Sequence, residues 1–291
     1  MLKWIAFFII PIAFITCTPQ NPQGNQNTKD TSKTVILKDV SYGDNAKQKM
    51  DIYLPNGRNQ DSTKIVIVIH GGAWKEGDKG DMNDAVNRIR NKWPQVAVAN
   101  INYRLANGSS VIYTQIMQDL NMAVQFLAQN ANEYKISKKM GMVGASAGAH
   151  LALLYAYKYN DSNFVKCVSD VFGPSYFADW SYYNSFNIFL GGYVKDIMKN
   201  FVGEYWNTDL YQSLSPYHIV NVNDYKPTII FHGDADVIVP LYQSQYFNSK
   251  LDSLGVNKQY NQYPGQGHGF NDYYLNDCIE KSVSFFKNNI E

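Results

Sequence analysis

The pattern Gly144-Ala145-Ser146-Ala147-Gly148 is a G-x-S-x-G motif, the kind of segment that can present a serine as a nucleophile. A short strand, Met140 to Val143, is predicted just before it, and a helix, Ala147 to Tyr159, just after it. A strand-to-helix turn this tight needs small residues, because a larger side chain at either glycine would strike the neighbouring elements. The strain lifts the Ser146 hydroxyl above the sheet edge. The helix start adds a partial positive field where an oxyanion would form. A second segment, His70-Gly71-Gly72-Ala73-Trp74, follows a run of β-branched residues. Its glycines let backbone N–H groups approach a substrate closely. The N–H groups of the two glycines, with that of Ala147, can converge on a developing oxyanion. The chemistry this implies is acyl transfer.

A serine hydroxyl is a poor nucleophile without a base. The chain has five histidines. His70 is read as a brace for its own loop. His150 lies one helical turn past Ser146 and is directed away from it. His218 follows Pro216, and His232 closes a predicted strand, where it packs. His268 stands in Gly265-Gln266-Gly267-His268-Gly269, a flexible loop after the last predicted strand. Its place in the order serine, acid, histidine makes it the expected base. Two acids precede it, Asp234 and Asp236, in His232-Gly233-Asp234-Ala235-Asp236. Strand alternation would put both on one face, so pattern alone leaves them equal.

These segments need a scaffold. Strands are predicted at Val35 to Tyr42, Gln48 to Leu54, Ile65 to Ile69, Val96 to Tyr103, Phe164 to Val171, Thr228 to Phe231 and Gln259 to Tyr263. Helical spacing appears over Ile116 to Leu127, Tyr242 to Leu254 and Asp272 to Asn289. Strands alternating with helices predict an α/β fold with a mostly parallel sheet covered on both faces. Ligands then bind beyond the carboxyl ends of the strands. The stretch 173–227 interrupts the alternation and is read as a lid inserted in a domain spanning 35–291. Trp74, Tyr176 and Trp180 are the candidate substrate-binding rings in and near it.

The 26 basic and 25 acidic residues form no long run of one sign, which argues against nucleic-acid binding. No CxxC, HExxH or Asp-rich calcium loop occurs, so neither a metal nor a cofactor is expected. Lys3 followed by the apolar run Trp4 to Ile15 reads as a signal peptide over 1–17. Cys17 sits where a lipoprotein signal would be cut and the new N-terminal cysteine lipidated, giving an exported protein with a membrane tether. Residues 18–34 carry no aliphatic or aromatic side chain and are expected to form a disordered tether.

Together, HGGAW, Asn102-Tyr103-Arg104-Leu105, GASAGAHL, HGDADVIVP and GQGHGF resemble the α/β-hydrolase esterases. The likeness is to the hormone-sensitive-lipase-like and feruloyl/acetylxylan-esterase-like group, from about Val35 to the C-terminus. The resemblance implies a carboxylesterase with Ser146 as nucleophile, His268 as base and Asp236, the second aspartate of its block, as acid. It implies oxyanion donors at Gly71, Gly72 or Ala73, plus Ala147. Asp119 corresponds to an aspartate that pins a loop near the elbow. Ala73 and Ala145 depart from the HGGG and GDSAG forms of hormone-sensitive-lipase relatives and lean toward the secreted esterases, whose substrates are small-molecule or glycan esters. Arylformamidases share HGG-x-W, so an amide substrate stays open. A small serine peptidase and a catalytically dead binding protein on the same fold are the remaining alternatives.

Overall fold

The computed structural model describes residues 28–291. In chain order the elements are β1 (Val35–Ser41), β2 (Lys49–Leu54), β3 (Ile65–Ile69), α1 (Asn83–Lys92), β4 (Ala97–Ile101), α2 (Tyr113–Gln129), α3 (Ala131–Tyr134), β5 (Met140–Ala145), α4 (Ala147–Leu154) and β6 (Val165–Val171). An insertion follows, made of α5 (Trp180–Asn184), β7 (Phe186–Asn187), β8 (Gly192–Tyr193), α6 (Val194–Val202), α7 (Thr208–Ser213) and α8 (Pro216–Ile219). The chain ends with β9 (Thr228–Gly233), α9 (Tyr242–Ser253), β10 (Lys258–Tyr263) and α10 (Asp272–Asn289). The helix expected over Ala147 to Tyr159 is α4 continued by a π-turn from Tyr155 to Tyr159.

Eight strands form one sheet in the order β1-β2-β4-β3-β5-β6-β9-β10, and β7 pairs only with β8. β1 with β2 and β2 with β4 are antiparallel, and every later pair in the large sheet is parallel. The five β-branched residues of β3 are fully buried. Their side chains alternate between the two cores. Ile65, Ile67 and Ile69 join the cluster that includes residues of α2, α4 and α9, while Val66 and Val68 join the one that includes residues of α1 and α10. A strand covered on both faces has no polar side, hence the unbroken apolar run.

The loop after β4 is fastened to α2 by an ion pair. The Arg104 side chain donates to both carboxylate oxygens of Asp119 at 2.6–3.0 Å, and the Arg104 backbone N–H donates to Oδ2 at 2.8 Å. Gln48 donates to the same carboxylate at 2.6 Å, and the Asp119 side chain is fully buried. Removing the acid strands a partly buried guanidinium and an amide. Asp119→Ala is therefore expected to lower stability by about 3 kcal/mol, seen as a lower urea midpoint at unchanged slope.

The expected tether over 18–34 needs correction in its described part. From Thr28 onward the chain is held. The Arg58 guanidinium donates to the carbonyls of Thr28, Asp30 and Lys33 at 2.7–2.9 Å, and Thr28 Oγ1 donates to Glu133 at 3.0 Å. Backbone carbonyls meeting a buried arginine make this anchorage, and a reading based on apolar side chains does not register them. The expected signal segment and Cys17 lie outside the described residues.

Candidate active site

The loops after β3, β5, β6, β9 and β10 meet at the carboxyl edge of the sheet, where a parallel sheet collects its ligands. Ser146 turns from β5 into α4 with φ 56° and ψ −123°, a strained conformation for a side-chain-bearing residue. Its glycine neighbours explain how that turn is possible. A Cβ on Gly144 would lie 2.2 Å from the carbonyl oxygen of Gly148, and one on Gly148 would lie 2.3 Å from that of Ile69. Neither site has room for any side chain.

His268, on the loop between β10 and α10, meets Ser146 and Asp236. Its Nε2 is 2.8 Å from Ser146 Oγ and its Nδ1 is 2.7 Å from Asp236 Oδ2. A carboxylate only accepts, so Nδ1 carries the proton and Nε2 is free to accept from the serine hydroxyl. The Asp236 side chain is fully buried. Burial alone would raise its pKa. Hydrogen bonds from His232 and His268, with the His268 charge and the Ile238 N–H, outweigh burial and hold the carboxyl well below the usual range. These contacts favour the ionised form of Asp236 near neutral pH.

The two aspartates do not share a face. β9 ends at Gly233, so both lie in a turn where strand alternation no longer applies. Asp234 is exposed and accepts the Gly265 N–H at 2.6 Å, which ties the two loops together. Asp236 points inward.

The segment 70–74 lies against the elbow, for a Cβ on Gly71 would meet the Ala145 carbonyl oxygen at 2.9 Å. Gly72, Ala73 and Trp74 all have positive φ (102°, 49° and 61°), a tight reversal that exposes backbone to the site. The His70 ring stacks on Tyr103 at 4.3 Å between centroids, and Tyr103 Oη donates to the His70 carbonyl at 3.0 Å. Trp74 donates its Nε1–H to Nδ1 of buried His150 at 3.3 Å, and His150 Nε2 donates to the Leu214 carbonyl at 2.8 Å. Burial lowers the His150 pKa to about 4, leaving it neutral and able to accept from the indole. His70 and His150 therefore brace the loop and take no part in the Ser146–His268–Asp236 series.

A cavity of about 360 Å³ opens at Ser146 and His268. Gly71, Gly72, Ala73 and Ala147 line it, as does Trp74. The N–H of Ala147 is the first of α4 and has no acceptor within the helix. The remaining wall is largely apolar, with Phe172, Tyr182, Phe189, Leu190, Val194, Ile197, Ile238 and Val239. Of the three rings expected to meet substrate, only Trp74 is in the wall. Tyr176 packs on Tyr217 and Tyr246 instead. Trp180 is exposed and stacks on Tyr183 at 5.6 Å. Tyr182 and Phe189 take their place. The Tyr-rich composition of the insertion signals an aromatic wall, and the Asp179 carboxylate, which accepts the Tyr182 N–H at the start of α5, fixes the turn from which Tyr182 enters it.

Asp170, near the end of β6, is wholly buried; its Oδ1 accepts the Gly173 N–H at 2.9 Å and its Oδ2 meets no partner among the described residues. Burial pushes its pKa from 3.8 to about 7, against the opposing pull of the Gly173 N–H and nearby His232. The folded state holds this proton more tightly than the unfolded chain. Its stabilising contribution is complete below pH 4, falls as pH rises toward 7 and is gone above that. Asp170→Asn keeps the acceptor and removes the titration. It is expected to melt higher than the wild type near pH 8 and to show a shallower fall in stability between about pH 4 and 7. An unchanged slope in thermal scans across that range contradicts this.

Comparison with known proteins agrees with this architecture. The BD-FAE family profile matches residues 50–251. A probable isoprenylcysteine alpha-carbonyl methylesterase of Arabidopsis thaliana is 26% identical over 273 residues, covering 85% of this chain and 53% of the plant protein. The chain spans little more than half the length of the curated relatives it matches. Among solved structures, a truncated carbohydrate esterase from gut microbiota superposes with a TM-score of 0.70 at 21% identity, covering 89% of this chain and 98% of its own. An acetyl ester-xyloside bifunctional hydrolase from Caldicellulosiruptor lactoaceticus gives 0.69 at 17% identity, covering 89% and 97%. With the family match over most of the domain and the sheet order on the page, the chain belongs to the BD-FAE family and has the α/β-hydrolase fold.

Proposed function

We propose that this protein is a serine carboxylesterase. The observation that carries the reading is the hydrogen-bonded series Asp236–His268–Ser146, with contacts of 2.7 and 2.8 Å, at the mouth of a largely apolar cavity. In this reading, His268 Nε2 takes the Ser146 proton as Oγ attacks the ester carbonyl. Backbone N–H groups of the 71–73 segment and of Ala147 stabilise the oxyanion. The imidazolium returns the proton to the departing alcohol, leaving an acyl-serine. Water, deprotonated by the same nitrogen, then releases the acid and restores the serine. Asp236 keeps the proton on Nδ1 and stabilises the imidazolium.

The substrate is read as an acetyl or feruloyl ester of a polysaccharide. Support comes from the carbohydrate-esterase and acetyl ester-xyloside neighbours and from a cavity whose apolar walls suit a short or aromatic acyl group. Export fits that role, and the charged residue Lys3 followed by the apolar run to Ile15 supports it. A fluorophosphonate probe tests the chemistry. It is expected to label the wild type on the peptide containing Ser146 and to leave Ser146→Ala unlabelled. Labelling elsewhere, at an equal rate in both, refutes the assignment. Comparing acetyl, feruloyl, long-chain acyl and formamide substrates then tests the substrate class.

A further inference from the structure

His232, read from the sequence as a packing residue, has a more specific setting. It is fully buried at the end of β9. Its Nε2 is 2.9 Å from the Val239 carbonyl oxygen and 3.3 Å from Asp236 Oδ2. Both are acceptors, so Nε2 carries the proton and shares it between them. Its Nδ1 is 2.6 Å from Ser244 Oγ on α9, and the hydroxyl must therefore donate. One imidazole thus grips both ends of the turn 236–239. The other carboxylate oxygen, Oδ1, accepts the N–H groups of Ile238 and Val239 at 2.8 and 3.0 Å. His268 and His232 accordingly compete for a single oxygen, Oδ2.

We propose that His232 is a positioning residue for the esterase triad, with its Nε2–H orienting Asp236 and moderating how strongly that carboxylate draws on His268. The inference rests on the reading of Ser146, His268 and Asp236 as the reacting set. Ser244 acts one step behind by holding the His232 tautomer. The titratable neighbours outside this set are Asp170 on β6, close enough to His232 to feel its charge, and Tyr182 of the insertion, close enough to Asp236 to feel that carboxylate. If His232 no longer donates, Oδ2 has only the His268 proton to accept. It then holds the imidazolium more firmly, and the acidic limb of the kcat/KM profile moves to higher pH. A residue that merely filled space would lower stability without moving that limb.

The experiment compares His232→Gln, His232→Asn and Ser244→Ala on p-nitrophenyl acetate across the pH range, with thermal melting as a check on folding. The glutamine amide nitrogen can reach the position of Nε2, whereas the shorter asparagine cannot. His232→Asn is expected to lose about 10- to 100-fold in kcat, the scale on which partners of a functional histidine often act. Its KM should stay within about threefold, since substrate binding is untouched, and its acidic limb should move up. His232→Gln should recover most of the loss. Ser244→Ala should show a smaller loss with the same direction of limb shift. Equal losses in the asparagine and glutamine variants, or an unmoved limb, overturn the proposal. Should His232→Asn fail to fold, wild-type kcat and profile in Ser244→Ala overturn it alone. Activity that survives Ser146→Ala would instead sink the underlying triad reading. Activity lost in Ser146→Ala, beside a wild-type profile in His232→Asn, sinks this inference only.

Discussion

Ser146→Ala is expected to lower kcat on p-nitrophenyl acetate by about 10⁴- to 10⁶-fold while leaving the fold intact. The magnitude follows from what the hydroxyl does. In the proposed mechanism it supplies the attacking oxygen, 2.8 Å from His268, and without it no acyl-enzyme would form. Some rate remains, because oxyanion donors and binding alone typically retain ~10³–10⁴-fold catalysis over water. Stability is expected to change little. The strained φ of 56° at Ser146 is imposed by Gly144 and Gly148 packing on one another and on the end of β3, and alanine occupies the same turn. The pair of measurements, single-turnover kinetics and thermal melting, separates chemistry from folding. A variant that folds normally and keeps more than a tenth of the wild-type rate contradicts the serine mechanism.

Asp236→Asn gives the second large effect, a loss of about 10⁴-fold in kcat. An amide facing Nδ1 lets the imidazole adopt the wrong tautomer, so that Nε2 can no longer accept the serine proton. Asp234→Asn serves as the matched control. Asp234 is exposed and accepts the Gly265 N–H at 2.6 Å, a bond the asparagine oxygen can retain. Its activity is expected to stay within about tenfold of the wild type, since the group touches neither the nucleophile nor the base. Asp236 is held well below the usual carboxylate range despite its burial, so its own protonation does not limit the rate in mildly acidic buffer. Comparable losses in the two variants would mean that the turn as a whole matters, and not the buried carboxylate.

Much of this site was legible before any coordinates. Gly144 and Gly148 flank the serine because their missing side chains are a local steric requirement, and local requirements are written in adjacent residues. The same holds for the β-branched run of β3, which reads as buried on both faces and is. His268 could be singled out because glycines flank it and it follows the last strand. Asp236 and Asp234 could be separated only by resemblance, since β9 ends at Gly233 and strand alternation reaches neither of them. The wall of the cavity was less accessible still. Tyr176 and Trp180 lie close to Tyr182 in sequence, yet only Tyr182 faces the cavity. Their direction is set by the caps and packing of short helices in the insertion.

Arg58 and His232 mark the same division. Arg58 works through the backbone carbonyls of Thr28, Asp30 and Lys33, far from it in sequence, and His232 through Val239 and Asp236, which only the turn after β9 brings back to it, and no local pattern announces such partners. The sequence by itself determined the alternation of strands and helices, the sheet edge where the loops gather and which serine and histidine are the candidates for nucleophile and base. Those follow from periodicity, backbone freedom and side-chain reactivity over a few neighbouring residues. Only the tertiary structure decided which acid points inward, which rings line the cavity and which histidine stands behind the acid. Those choices depend on side-chain directions and on contacts between distant segments, and both arise only when the chain packs.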